Sequence, residues 1–559
     1  MACATAALVE SNRSPPANGV DLCENDADRV WGKPRTFQGI RINASGLAPP
    51  TECGDQCSKF VVTAAVLGDP SRRRGPAWPP HTIVCRPAAG GRSSRFLAVI
   101  PVRTGRPGRG SRLGPVPAEE SAMAERQVTT APHGHILTNA AVWSPDGAWL
   151  VYDVRSDAAG SRFDGTRIER VEVATGRVEV LHESVRGACC GVATTSPVDD
   201  RVVFILGPED PTPDWTYGPA RRRGVVVDSR RPGHAVPLDA RDLVAPFTAG
   251  ALRGGSHVHQ FSPDGRLVSF TYEDALLDAL PPGAGERNLR AVGVSVPGRA
   301  VEVPPTHPRN HSGGAWSVLV TDLADAPAPG GDGIVRACEE AWIGAAGYLR
   351  ADGARQRRTL VFQGTVVAAD GREVVELFVC DLPDDEGPAG GLDVRGAGPL
   401  CGTAHARPRP PAGVGQRRLT FTTDRVHPGV QGPRHWPRSN ADGTRIAFLA
   451  RDERGIVQVF TVAPLGGAAR QVTAGAASVD SAFTWTPDGT RIACVIDGCV
   501  CLVDARDGAV ERLTARPAGP GPRPEACVVS PDGRAIAFVR PVGSAQGTFN
   551  QVFVVEVPR

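Results

Sequence analysis

From residue 126 onward the chain alternates apolar and polar positions in short runs, and the runs return in a fixed order. The core of each repeat is a strand-like run ending in Ser-Pro-Asp-Gly or a relative, followed at once by an apolar run. The copies are VWSPDGAWLVYDV (142–154), TTSPVDDRVVFIL (194–206), QFSPDGRLVSFTY (260–272), RSNADGTRIAFLA (438–450), TWTPDGTRIACVI (484–496) and VVSPDGRAIAFVR (528–540). In such a turn proline presets φ, aspartate accepts local backbone hydrogen bonds and glycine supplies a positive φ. The flanking alternation is that of half-buried strands, so each copy is expected to be a β-hairpin.

A third strand follows each hairpin, at 167–175, 223–229, 289–296, 375–382, 457–464, 499–505 and 551–558. One of these belongs to a fourth repeat whose hairpin is disguised, expected to join WSVLVT (316–321) with TLVFQG (359–364). A fourth strand has its own signature: RRLT at 417–420, RQVT at 470–473 and ERLT at 511–514. The last repeat ends at Arg559 without one, and RQVT at 126–129 supplies it. The later repeats lie about 45 residues apart, the spacing of propeller blades. The expected fold is all-β: a single β-propeller of seven four-stranded blades, its ring closed by the N-terminal strand. Six or eight blades stay open, because the count rests on one degenerate blade between 275 and 435.

The repeat resembles that of TolB-like (WD40-like) propellers, and more closely the YidR-like family of bacterial propellers. The stretches that carry the likeness are HILTNAAVWSPDGAWLVYDVR (135–155), RIERVEV (167–173), LRGGSHVHQFSPDGRLVSFTY (252–272), EEAWIG (339–344), QRRLTF (416–421), PRHWPRSNADGTRIAFL (433–449) and GIVQVF (455–460). The likeness spans essentially all of 124–559 and none of 1–122. It implies the fold and little about function, since this family has no established activity. More remotely the chain is similar to the oligogalacturonate lyases, which share the propeller and hold a metal through histidines near the channel mouth.

Residues 1–122 read differently, being rich in Pro, Gly, Arg and Ser without a sustained period. Met1 and Met123 are the only methionines, and Glu119-Glu120 implies an all-purine tract just upstream of the second. The propeller is therefore expected to start at Met123, with 1–122 a disordered extension or a mis-assigned start.

Composition narrows the partners. A net charge of +2 gives no electrostatic case for nucleic acid or an acidic membrane surface. No apolar run approaches the ~18 residues of a membrane span, and no charged segment precedes an apolar one as in a signal peptide. A cytoplasmic location is expected. The cysteines within the strand-like runs read as small buried thiols.

Propellers offer ligands an end of the central channel. Aligned on the turn, the residues six positions before its proline are Asn139, Gly191, His257, His435, Ser481 and Glu525, expected at one level around the channel. His259 follows His257 by two residues, on the same side of its strand. His135, His307 and His311 are expected near the same end. Arg253 and Arg434 could hold a substrate carboxylate bidentately. The ligand-binding set is thus Asn139, Arg253, His257, His259, Arg434, His435 and Glu525, and the metal set is His257, His259 and His435. Imidazoles suit Mn, Fe, Ni or Zn. Glu339-Glu340 and the Arg221–Arg223 run read as solvated charges.

Three functions fit these residues. One is a binding or scaffold propeller that takes a small molecule or oligosaccharide at the channel mouth. The second is a metal-dependent carbohydrate-active enzyme, with the metal acidifying the proton α to a uronate carboxylate. The third is a protein-interaction module.

Overall fold

The computed structural model describes residues 124–558 except 139, 158, 385–389, 397, 434, 435 and 526. The N-terminal 122 residues and Met123, with the expectations placed on them, lie outside this set. Seven four-stranded antiparallel sheets are arranged as blades among the described residues. From the innermost strand outward, blade 1 is Gly134–Ile136, Trp149–Arg155, Arg167–Glu172 and Val178–Glu183. Blade 2 is Cys190–Thr195, Arg201–Leu206, Arg223–Asp228 and Val236–Pro237. Blade 3 is Gly254–Phe261, Val268–Asp274, Ala291–Val301 and Gly313–Leu319. Blade 4 is Ile334–Trp342, Thr359–Val367, Glu373–Asp381 and Gly415–Arg418. Blade 5 is Arg438–Ser439, Ile446–Arg451, Val457–Val462 and Arg470–Gln471. Blade 6 is Thr484–Trp485, Arg491–Ile496, Cys499–Asp504 and Val510–Arg512. Blade 7 is Cys527–Val529, Ala535–Ser544 and Gly547–Glu556, with Arg126–Gln127 paired antiparallel beside its third strand.

The repeated turn has the chemistry its residues dictate. In blade 1 Ser144 Oγ donates to Asp146 Oδ1 at 2.5 Å, and the same oxygen accepts from the Ala148 N–H at 3.0 Å. Gly147 follows at φ 71°. Blade 3 repeats this with Ser262, Asp264 and Gly265 at φ 69°. In blade 5 Asn440 replaces the serine and accepts from the N–H groups of Thr444 and Arg445.

Blade 4 departs from the expectation. WSVLVT lies largely in the outer strand of blade 3, and the inner strand of blade 4 is Ile334–Trp342. TLVFQG lies in the second strand of blade 4, as expected. The connection between these strands lacks Pro-Asp-Gly and carries instead a small ribbon, Tyr348–Leu349 paired with Arg355–Gln356.

Neighbouring blades are joined by a recurring clasp. Two positions before the turn proline or its equivalent stand Trp143, Trp342 and Trp485. Their indole N–H groups donate to carbonyl oxygens of the preceding blade: Val528 at 3.0 Å, Gln260 at 3.1 Å and Arg438 at 2.8 Å. In blade 2 Thr195 takes this position, and its hydroxyl donates to the Trp143 carbonyl at 2.6 Å. Within blades 4, 5 and 7, cross-strand rings pack on one another, Phe362 on Phe378, Phe448 on Phe460 and Phe538 on Phe553, at centroid distances of 5.7, 5.8 and 5.7 Å.

Among the described residues no helix is long and apolar enough to cross a membrane. The helix Ala275–Asp278 is a single turn capped by Asp274, which accepts from the N–H groups of Leu276 and Leu277. The thiols Cys190, Cys338, Cys380, Cys494, Cys499, Cys501 and Cys527 are buried.

Candidate functional site: buried polar seams beside the channel

The inner strands of blades 2, 3 and 4 share an irregularity. Each has an extra residue at the same place, shown by register shifts between Gly191 and Thr194, His257 and Gln260, and Cys338 and Ala341. At matched positions Val192, Val258 and Glu339 adopt φ of 57°, 50° and 59°. Left-handed backbone costs an L-residue roughly 1–2 kcal/mol, most for a branched side chain. Strain of this kind persists only where the surroundings hold it, and it concentrates at functional sites. In blade 2 the preceding blade helps hold it: the Val192 N–H donates to Asp153 Oδ1 at 3.2 Å.

The bulge overturns one expectation directly. His257 pairs with Thr271 and Gln260 with Ser269, so these four share a face. His259 packs on Phe270, which points the other way, at a centroid distance of 6.1 Å. The inserted residue breaks the alternation that would put His257 and His259 on one side. His257 faces blade 4 and His259 faces blade 2.

In the seam toward blade 2, a Cβ on Gly224 would lie 2.5 Å from His259 Nε2 and 2.8 Å from Asp239 Oδ1. That Asp239 oxygen accepts from the Gly224 N–H and from Ser256 Oγ at 2.8 and 3.1 Å. Both His259 ring nitrogens are buried without a hydrogen-bond partner among the described residues. Burial, followed by the charge of Arg222, pushes this imidazole down to about 3, so it is neutral.

In the seam between blades 3 and 4, Gln260 donates to the Glu340 carbonyl at 3.2 Å. Glu340 is fully buried, and neither of its carboxyl oxygens makes a well-formed hydrogen bond among the described residues, with Ser269 and its own backbone N–H as weak contacts. Burial, reinforced by the Glu339 charge, pushes its carboxyl up to about 8. Burial lowers Arg438, on the inner strand of blade 5, to about 10 against the raising charges of Glu339 and Glu340. Glu339-Glu340 is therefore a buried pair facing an arginine, in place of the expected solvated one. Arg222, expected in a solvated run, is buried as well.

Other expected residues are occupied elsewhere. Arg253 gives way as a carboxylate holder: its Nε and Nη2 bind Asp274 Oδ2 at 2.8 and 2.7 Å, and its remaining donors reach the carbonyls of Thr403 and Ala406. Glu525 receives Arg523 through two contacts of 3.0 and 2.8 Å, so it is no open oxygen ligand. His311 exchanges backbone hydrogen bonds with Arg241 on the approach to the outer strand of blade 3. His307 accepts from the Arg309 N–H. Asn139, Arg434 and His435 lie outside the described residues. The histidines that do gather with a carboxylate are His133 and His135, beside Glu169. Their sequence signal was the His-Gly-His spacing, which puts two imidazoles on one strand face.

The model of a family described as "Protein of unknown function (DUF3748)" matches residues 189–311, the stretch holding the bulges of blades 2 and 3. The uncharacterized protein YidR of Escherichia coli (strain K12) is 45% identical over 427 residues, covering 76% of this chain and 97% of that protein. Among solved structures, an oligogalacturonate lyase in complex with manganese is similar at a TM-score of 0.44 and 12% identity, over 78% of this chain and 94% of that one. TolB of Agrobacterium tumefaciens is similar at a TM-score of 0.33 and 16% identity, over 70% and 98%.

Proposed function

Because this chain belongs to the YidR family of propellers, whose activity is not established, we propose that it is a ligand-binding propeller that takes a small hydroxylated or carboxylated molecule at the inner strands of blades 3 to 5. The observation that carries this reading is Glu340, fully buried with neither carboxyl oxygen in a well-formed hydrogen bond among the described residues, Ser269 and its own backbone N–H giving only weak contacts. A buried polar group without a partner costs roughly 1–3 kcal/mol, which a ligand would return. As a neutral acid, Glu340 offers one O–H donor beside acceptor oxygen, the pair that a sugar hydroxyl or a carboxylate complements. The Arg438 cation stands beside it.

Metal-assisted chemistry through His257 and His259 loses support, because the bulge turns the two rings to opposite seams.

The test is calorimetric titration of the full chain with galacturonate, digalacturonate and glucose, beside the Glu340→Leu variant. Saturable binding near one per chain, weakened on the order of tenfold or more in the variant, is expected. No binding of any of the three, or equal binding by the variant, refutes the reading.

A further inference from the structure

We propose that His133, His135 and Glu169 form a binding site for a divalent transition metal of the zinc class, in the seam between blade 1 and blade 7. The site is separate from the seam of Glu340 and stands or falls independently of it.

The geometry starts from a tripeptide. Gly134 separates the two histidines, and a Cβ there would lie 3.0 Å from the Arg155 carbonyl oxygen and 3.2 Å from that of Asp157. The absence of a side chain lets this strand lie close against its neighbour, and both imidazoles fall on one side. Their rings stack at a centroid distance of 4.6 Å. Glu169 arrives from the third strand of blade 1, with its Oε2 3.4 Å from His133 Nε2. One ligand atom from each of the three residues lies within 4.8 Å of the others.

The tautomer of His135 is set by its surroundings. Its Nδ1 lies 2.8 Å from the backbone carbonyl oxygen of Asn550 in blade 7. A carbonyl can only accept, so Nδ1 carries the proton and Nε2 keeps its lone pair. That Nε2 is buried and has no hydrogen-bond partner among the described residues. An imidazole anchored by one nitrogen to a backbone carbonyl, with the other left as a donor of electrons, is the usual arrangement of a metal-binding histidine. The carboxylate is anchored likewise: Tyr152 donates to Glu169 Oε2 at 2.8 Å, and Arg167 lies 3.4 Å from Oε1.

Two imidazoles and one carboxylate are the donor set of three-ligand zinc sites, which keep a fourth position open. Nitrogen donors favour zinc, nickel or cobalt over magnesium and calcium. Donors about 2.0–2.1 Å from a tetrahedral ion lie about 3.3 Å apart, and His133 and Glu169 stand at 3.4 Å. An imidazole lone pair lies in the ring plane, so binding requires the partly exposed His133 ring to turn out of its stack on His135 toward the common ion. His133 is partly exposed, which leaves the open position facing solvent.

The test uses the full chain, stripped with chelator and dialysed, then titrated with zinc and with cobalt(II) as a visible-absorption probe. One equivalent is expected to bind, with cobalt showing the intense bands of a four-coordinate site. Losing an outer-shell partner already costs 10–100-fold in affinity, so His133→Ala and Glu169→Gln should each weaken binding by about 100-fold or more. His133 stands at the rim, so the metal-free melting temperature of His133→Ala should match that of the parent. Glu169→Gln keeps the shape of the side chain and serves as the second variant. No stoichiometric ion in the parent overturns the site, and so does undiminished binding by both variants.

Discussion

The indole Nε1–H of Trp143 donates to the carbonyl oxygen of Val528 at 3.0 Å, joining the first blade to the last. Trp342 and Trp485 make the same bond to the blades before them, at matched positions of the repeat. The clasp follows from the repeat itself. A large side chain two residues before the turn reaches across to the next inner strand, and a polar tip can end there on a backbone carbonyl.

Replacing this tryptophan separates the bond from the bulk. Trp143→Phe keeps most of the buried area and loses the donor, so a cost of about 1 kcal/mol is expected. Trp143→Ala also opens a cavity and is expected to cost about 3–5 kcal/mol. Urea denaturation of the two variants measures both. A phenylalanine variant as stable as the parent would show that the hydrogen bond contributes nothing beyond packing, and equal losses would show that the bulk contributes nothing beyond the bond.

Arg253 and Asp274 form a buried pair, at 2.7 Å, and Asp274 also caps the turn Ala275–Asp278. Removing the cation strands a carboxylate out of water, which typically costs about 3–5 kcal/mol. Arg253→Met is expected to lose stability of this order and to leave the affinity for galacturonate unchanged at temperatures where the variant is folded. A variant of normal stability with weakened galacturonate binding would restore Arg253 as a ligand contact.

Much of the architecture was legible because its signals are local. Pro-Asp-Gly fixes a turn within four residues, and alternation marks the strands on either side. Blade 4 hid its hairpin because Trp342-Ile343-Gly344 leads into an inserted ribbon instead of that turn. The site was less legible for a different reason. Nothing local announces that Val258 will adopt a left-handed conformation, yet that one residue sends His257 and His259 to opposite seams. Charge was misleading at Glu339-Glu340, since adjacent acids ordinarily face water, and here both lie buried in the matching bulge of blade 4. The metal cluster needs the register of three strands to bring Glu169 to His133, so the His-Gly-His spacing alone could not complete it.

Gly224 and His259 test the seam toward blade 2. A Cβ at residue 224 would sit 2.5 Å from the His259 ring nitrogen, so Gly224→Ala must displace the imidazole. Overpacking of this kind costs about 1–3 kcal/mol. His259→Ala vacates that space, so the double variant should recover part of the loss, with a coupling of about 0.5 kcal/mol or more. Additive losses in a double-mutant cycle would place the ring elsewhere.

Glu340 links stability to pH with a definite sign. Its carboxyl titrates at about 8 in the folded chain, against an ordinary value of 4.5. Between those values the folded chain holds a proton that the unfolded chain has released, so stability falls as pH rises and the contribution is lost by about pH 8. The groups acting on it are Glu339 on its own strand, Ser269 from blade 3 and Arg438 from blade 5. Buried histidines act in the opposite direction, but only below their ordinary value: burial lowers His259 and His311 to about 3, and their contribution is complete above 6.5. Thiols ionise in the unfolded chain only near ~8.5. In the interval from about pH 6.5 to 8 Glu340 contributes a slope of up to ~1.4 kcal/mol per pH unit for one proton, while Asp153 and Asp239, also raised by burial, contribute alike to the parent and the variant. Urea unfolding across that interval should show the parent losing stability relative to Glu340→Gln, whose amide carries no proton to release. Parallel pH profiles for the two proteins would mean that Glu340 is ionised in the fold, and the neutral acid offered to a ligand would go with it.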